Sequence, residues 1–452
     1  MPEWGRAMQQ MYAIRTDPRI DAVAVPENLR VGLMVAEQRK RCSAIGCHAR
    51  FFNFAFGQSP FPVPPGLVTS LKREATLGHY TEAAGTEELR EAVAGFYARH
   101  FGVRAEPERV VVGNGSKELI YIIFSMMEAT AVIPSPAWIG YAPIIKLLGK
   151  EYRTLPPRPE RGYRLDPADL RAVLAAHPAE RHILIFNNPN NPTGALYTKP
   201  ELEAIAAICR EYGCLVIADE IYALTTYEFE RFTSMGTVYP EGTFVTGGLS
   251  KDRSAAGYRL GTCILPEDCP EELVTDFTKV AATMYTSAST PVQYAAITAY
   301  AEDPAIEEYM RTARAVHGII CRYMSKAVST IDGVMTTVPE GGFYFLADFN
   351  LLADDLKQYG VTRSNDLSTA LLAHPHHVAT IGGDAVMLPQ DRFGIRVACV
   401  DYDGRRALDL YREERPTTSL DRTAFVHEVA PLMVDGVGAM RRFVEEVRKE
   451  AR

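Results

Sequence analysis

The sequence predicts an α/β protein built on a mostly parallel sheet with helices packed against both faces. Two observations carry that prediction. Short β-branched runs alternate with helical periods through most of the chain, and that alternation is the pattern of βαβ units. The composition agrees: of 452 residues, 47% are hydrophobic and 23% charged, the balance of a globular domain. A disordered, collagen-like or coiled-coil chain is thereby excluded.

Each element has its own signal. The run Ser59-Pro60-Phe61-Pro62-Val63-Pro64-Pro65 reads as a hinge. After it, 109–112, 131–133, 182–186, 215–218, 243–246 and 262–265 read as strands. Residues 199–211 read as an amphipathic helix with Leu202, Ile205, Ile208 and Cys209 on one face. Thr198 followed by Glu201, with Pro200 in the first turn, is a capping-box start. From 291 to 329 the pattern is helical, with Tyr294, Ile297, Tyr300 and Ala301 suitably spaced. Residues 342–349 and 394–400 read as strands of a second unit. The run 432–447 reads as an amphipathic helix, with Pro431 tolerable at its start. The expected organisation is a large domain over 61–300. A smaller α+β domain is drawn from both termini, 1–60 and 301–452.

Charge and cysteine content narrow the function. Forty-eight Lys and Arg face 56 Asp and Glu, a net charge of −8, which is a poor footprint for nucleic acid. Residues 1–19 hold no apolar core of signal-peptide length, and no stretch approaches the ~20 apolar residues that span a bilayer. The longest apolar-rich run, 119–133, is broken by Glu128. The closest cysteine spacings (Cys42/Cys47, Cys209/Cys214, Cys263/Cys269) are not CxxC pairs, which argues against structural zinc. His374, His376 and His377 lack a nearby cysteine or an i,i+4 partner, so no metal is expected. The expectation is a cytoplasmic protein with reduced thiols.

In doubly wound sheets, ligands bind beyond the carboxyl ends of the strands. Gly113-Asn114-Gly115-Ser116-Lys117 follows the first strand: an ordinary glycine turn, or backbone N–H groups set for a phosphate. Asn187-Asn188-Pro189-Asn190-Asn191-Pro192-Thr193-Gly194 is richer in amides than a connector needs. Asp219-Glu220-Ile221-Tyr222 puts an acid at a strand end, either as a cap or opposite a positive ligand group. Gly247-Gly248-Leu249-Ser250-Lys251 places a lysine after an apolar strand, where desolvation would free its amine as a nucleophile. An amine, a carboxylate, a hydroxyl, an amide and an anion cradle together match what pyridoxal phosphate requires.

These fragments also resemble a known family. FGQSPFPVPP, HYTEAAGTEELREAV, GNGSKEL, SPAW, NPNNPTG, ADEIY, GLSKDRSAAGYRLG, STPVQ, PEGGFYF and FGIRVA occur in the order seen in the class I/II, fold-type I aminotransferases of the aspartate aminotransferase superfamily. The resemblance spans about residues 52–400. It implies an aspartate-aminotransferase-like large domain and pyridoxal 5′-phosphate as cofactor. Lys251 would hold it as a Schiff base and then shuttle a proton. Asp219 would pair with the pyridine nitrogen, and Tyr222 and Asn191 with the phenolic oxygen. Trp138 would stack on the ring, although a core aromatic is the plainer reading of a tryptophan. Gly115, Ser116, Lys117, Ser250 and Arg259 would contact the phosphate. Tyr80 would reach the phosphate of a neighbouring subunit, implying a homodimer with shared sites. Arg396 would grip the substrate α-carboxylate, helped by Asn191 and the backbone of Gly57.

Two departures qualify the match. Gly248 stands where the family often has a phosphate-binding Ser or Thr. Tyr285 stands where dicarboxylate-specific members place an arginine from the partner, which argues against an acidic side chain on the substrate. The stretch from Gly342 to Arg396 is also longer than expected, and its 348–391 portion would either reshape the entrance or enlarge the small domain. The implied reaction is amino-group exchange between an L-amino acid and a 2-oxo acid. The alternative is a lyase or synthase: GLSKDRSAAGYRLG is also similar to the lysine segment of 1-aminocyclopropane-1-carboxylate synthases. A ligand-sensing domain of a transcription regulator is disfavoured, because about sixty residues without a basic helix-turn-helix pattern precede the hinge.

Overall fold

A computed structural model describes residues 16–44 and 49–451. Most of the N-terminal stretch read for a leader therefore lies outside the described residues, as does Cys47. A short strand, Phe52–Asn53 (β1), precedes the main sheet. That sheet has seven strands: Val110–Gly113 (β2), Thr130–Pro134 (β3), Tyr152–Leu155 (β4), His182–Asn187 (β5), Leu215–Asp219 (β6), Thr243–Gly248 (β7) and Gly261–Ile264 (β8). Their order is β2-β8-β7-β6-β5-β3-β4. Pairing is parallel from β4 through β7, and β8 runs antiparallel to both its neighbours.

The sheet is covered on both faces because its side chains alternate between two cores. On β5, Ile183 and Ile185 pack with Leu119 and Ile123 of helix Ser116–Met126. The intervening Leu184 and Phe186 pack with Leu202 and Ile205 of helix Lys199–Tyr212. Thr198 and Glu201 form the expected capping box, a motif of about 1 kcal/mol. The helix ends at Gly213 in the left-handed region, where an L side chain is strained.

Strand β4 escapes sequence reading. Only Leu155 of its four residues is buried, as suits an edge strand, so its apolar signal is short. The helical stretch from 291 is two helices, Thr290–Tyr300 and Pro304–Ser329. Asp303 starts the second by accepting from the N–H groups of Ala305 and Ile306, and Pro304 cannot donate to continue the first.

A second, four-stranded antiparallel sheet joins Met335–Thr336 (β9), Tyr344–Asp348 (β10), Ile381–Gly382 (β12) and Gly394–Ala398 (β13) in the order β12-β13-β10-β9. β1 pairs in parallel with Val378–Ala379 (β11). The strand expected from 342 starts at Tyr344, because Gly342 turns at φ +69°. The strand expected to end at 400 stops at Ala398. The C-terminal helix runs Pro431–Glu450.

The 348–391 stretch folds into helices Ala353–Gln358 and Ser364–Leu372 and the strands β11 and β12. Its contact with the cleft region is indirect: Ala137 N–H donates to Val386 O, and Ser135 Oγ to Met387 O. Among the described residues no helix is long and apolar enough to cross a membrane.

Candidate active site

The parallel strands β5, β6 and β7 lie side by side, so their carboxyl ends open onto one edge. Register puts Asn187 opposite Asp219, and Asp219 opposite Thr246. A cleft of about 280 Å³ sits over that edge. Gly57, Gly115, Ser116, Lys117, Trp138, Asn191, Asp219, Tyr222, Ser250, Lys251, Arg259 and Arg396 all line it. Tyr80 does not; it is 82% exposed. No described residue of 348–391 lines the cleft.

Asp219 closes β6 and is buried. Its Oδ2 accepts from Tyr141 OH at 2.6 Å, and its Oδ1 from Ile221 N–H at a long 3.4 Å. One long backbone bond is a poor cap, so the carboxyl is aimed at the cleft instead. Burial pushes its pKa up to about 6, against the opposing pull of Tyr141, Ile221 and the Lys251 charge. Such a group ionises readily once a cation arrives. Lys251 Nζ donates to Gly57 O at 3.0 Å. A Cβ on Gly57 would lie 1.6 Å from Tyr344 OH, so glycine is required where Tyr344 closes over it.

The anion cradle is made by two chain segments in contact. Gly115, at φ +100°, precedes helix Ser116–Met126, whose first N–H groups lack helical acceptors. Arg259 Nη2 donates to Asn114 O and Nη1 to Ala256 O, both at 2.9 Å. Gly261 passes so close that a Cβ would meet Ser116 N at 2.4 Å. Lys117 stands over the Trp138 ring at 5.4 Å. Burial, and then the Arg259 charge, lower its pKa. Trp138 itself is half-buried and packs edge-on to Tyr141, with its cleft side open. Gly248 has no room for a hydroxyl-bearing side chain, since a Cβ would stand 2.6 Å from Leu260 O.

The opposite wall comes from β13 and the segment after β1. Arg396 is 3% exposed. Its Nη2 donates to Ala55 O at 2.6 Å and its Nη1 to Asn191 Oδ1 at 3.4 Å. Its Nε is buried without a partner among the described residues, and its guanidinium lies 4.6 Å from the Tyr344 ring centroid. A buried cation with spare donors is a carboxylate receptor in waiting. Asn191 N–H donates to Asn187 Oδ1, and its Nδ2 donates to Tyr222 OH at 3.4 Å. Tyr222 OH donates to Tyr344 OH at 3.3 Å, and burial raises the Tyr222 pKa.

Sequence reading missed four residues here. Tyr141 holds Asp219, Asn187 orders Asn191, and Asn28 and Tyr344 line the cleft. Tyr344 and Asn187 lie inside fragments already singled out. Tyr141 opens the helix that follows the singled-out SPAW fragment by two residues, and that proximity is the signal that could have found it. Tyr285 OH instead bonds Val112 O at 3.0 Å in its own chain. The histidines at 374–377 go elsewhere: His376 Nε2 contacts Glu446 at 3.1 Å. Among the described residues no group of three or more His, Cys, Asp or Glu is placed to hold a metal.

Comparison with known proteins agrees with this geometry. The family model described as "Aminotransferase class I and II" matches residues 49–408. The aspartate/prephenate aminotransferase of Thermus thermophilus is 30% identical over 66% of this chain and 77% of its own. The asparagine–oxo-acid transaminase of Streptococcus mutans is 28% identical over 75% of this chain and 84% of its own. The solved structure of Thermus thermophilus aspartate aminotransferase with maleate superposes with a TM-score of 0.77 at 23% identity, covering 95% of this chain and all of that one. These relatives are named transaminases, and the elimination or cyclisation reading finds no support among them.

Proposed function

The chain belongs to the class I and II aminotransferases and is a transaminase; from that premise we propose that it uses pyridoxal 5′-phosphate, held by Lys251. It then exchanges the amino group of an L-amino acid with a 2-oxo acid. The observation that carries the reading is that the buried Asp219 carboxyl, Lys251 and the Gly115–Arg259 cradle line one cleft. The donor set fits the cofactor. A buried carboxyl poised near 6 suits a protonated ring nitrogen, the amine suits an aldehyde, and the helix start with Arg259 suits a phosphate. When bound, the cofactor supplies an electron sink for the bond broken at the substrate α-carbon.

The protein's part is positioning, charge and proton handling. Lys251 Nζ is placed to take and return the proton of the substrate α-carbon, because it stands beside Tyr222, whereas the other amine of the cleft, Lys117, stands over Trp138. Asp219, held by the Tyr141 hydroxyl, would pair with the pyridine nitrogen and stabilise positive charge there. Asn191 and Tyr222 would hydrogen-bond the phenolic oxygen of the cofactor. Gly115, Ser250, Ser116, Lys117 and Arg259 would hold the phosphate, and Trp138 would stack on the ring. Arg396 takes the substrate α-carboxylate through its guanidinium, which lines the cleft. Gly57 lends its backbone to the same end.

Tyr80, exposed in a single chain, reaches into the cleft of a second copy, so the working unit is a homodimer. Val25, Leu29 and Leu33 are also more than half exposed, apolar surface that a partner would cover. The large domain is placed at 61–300, with 1–60 and 301–452 forming the small one. The compartment is the cytoplasm, in keeping with the buried thiols of Cys209, Cys214, Cys263, Cys321 and Cys399.

The test is a single-substrate experiment. Purified protein loaded with pyridoxal phosphate is mixed with one amino acid and no oxo acid. Release of the matching 2-oxo acid, one per site, supports the reading and ranks the donors. Release of ammonia or a side-chain fragment in its place would overturn it.

A further inference from the structure

A recess of about 1010 Å³, larger than the cleft, lies between helix Pro304–Ser329, the turn after helix Gly404–Glu414 and helix Pro431–Glu450. Helices in a protein core ordinarily close such a space. Here small residues leave it open: a Cβ on Gly438 would meet nothing nearer than Arg442 Nη1 at 3.5 Å. Gly318 has a different task, seating the Tyr227 ring that forms the inner wall, since its Cβ would stand 3.0 Å from that ring. The wall residues from Tyr411 to Arg441 lie beyond residue 408, where the family match stops.

The charge in this recess is one-sided. Arg322, Lys326, Arg422 and Arg441 face a single lining carboxylate, Glu228. Glu228 is already engaged twice, by Arg322 at 2.8 Å and Arg231 at 3.3 Å. Arg441 bonds only Thr330, Nη2 to Oγ1 at 2.8 Å and Nη1 to the carbonyl at 3.4 Å. The side chains of Lys326 and Arg422 have no hydrogen-bond or ion-pair partner among the described residues. The lining also carries apolar groups, Ile319, Val434 and Val437 with Gly438, beside Tyr227, whose ring lies 5.2 Å from the Arg322 guanidinium.

We propose that this recess is a second ligand site, one that takes a small organic anion with a planar apolar body. The carboxylate or phosphate of that anion would lie between Lys326 and Arg422, and its body against Ile319, Val437 and Gly438. Neither side of this chemistry draws on the cleft. Arg441 serves as a further donor once its anion partner is present.

The test is calorimetric titration of the pyridoxal-phosphate-loaded enzyme, whose own anion cradle is then filled. The probes are 1-naphthyl phosphate, 1-naphthoate and the neutral 1-naphthalenemethanol. Saturable binding of at least one anion is expected below about 1 mM, weakening as salt rises, with the alcohol about tenfold weaker or worse. Whichever anion binds tighter identifies the headgroup. The Lys326→Glu/Arg422→Glu double variant should lose about tenfold or more in affinity while keeping its transamination rate. Gly438→Phe, which fills the recess, should do the same. The proposal is overturned if the wild type shows no saturable binding of either anion up to about 5 mM. It is equally overturned if the charge-reversed variant binds as tightly, or the alcohol binds as well as the anions.

Discussion

The two walls of the cleft are built on different principles. One wall is a row of adjacent strand ends, where β5, β6 and β7 deliver Asn187, Asp219 and the Ser250-Lys251 pair within some 65 residues of chain. The other wall brings Arg396 of β13 to Ala55, 341 positions away in sequence, and Tyr344 of β10 to Gly57, 287 positions away. The first wall inherits its geometry from sheet register. The second depends on the docking of β1, β10 and β13, and its key cation is held by a 2.6 Å bond to a carbonyl and a tyrosine face. The difference teaches that the strand-end wall is pre-set by sheet register, while the opposite wall is assembled from elements far apart in the chain.

If that division holds, substitutions on the first wall should strike kcat and those on the second KM. Lys251→Ala gives the largest expected effect. Turnover should fall by about a thousandfold or more, with pyridoxal phosphate still bound but without the visible band of the lysine-linked form. Retained turnover would break the assignment. Asp219→Asn comes next, with an expected loss of about 10²–10³ in kcat and little change in KM, read in steady-state kinetics.

On the opposite wall, Arg396→Ala should raise the amino-acid KM by roughly 30- to 150-fold, about 2–3 kcal/mol for a lost charged contact. A kcat effect as large as that of Asp219→Asn would erase the contrast between the walls. Tyr344→Phe is milder: it removes one neutral hydroxyl, about 1 kcal/mol, and should shift KM by about fivefold.

The smallest effect sharpens the comparison within the first wall. Glu220 adjoins Asp219 but faces away, accepting from Ser234 Oγ at 2.9 Å and Met235 N–H at 2.8 Å. Burial pushes its pKa up to about 8 from an ordinary 4.5. The folded state thus holds a proton that the unfolded state has lost, and its stability falls as pH rises from 4.5 to 8. Glu220→Gln should therefore melt progressively higher than wild type across that window, on the order of 2 °C by pH 8, with the gap constant above it. Calorimetry at three pH values checks it, and kcat should barely move.

Much of the fold was legible because its signals are local. The runs that became β5 to β7 are fully or almost fully buried on both faces, so they stand out as apolar segments. The capping box at Thr198 needs only four residues. Lys251, Asp219 and Asn191 could be singled out because each sits within a few residues of such a strand end. β4 stayed hidden because an edge strand with one buried residue has no such contrast.

The amino-acid sequence by itself thus determined the sheet, its helical covering and the residues of the strand-end wall, since period and register operate over short spans. Tertiary structure alone decided that Tyr141 holds Asp219, that Tyr344 and Gly57 meet, and that Gly248 excludes a hydroxyl. It also decided that four cations of distant helices surround one recess. Such contacts join residues tens to hundreds of positions apart, and their distances follow from how elements pack rather than from any local pattern.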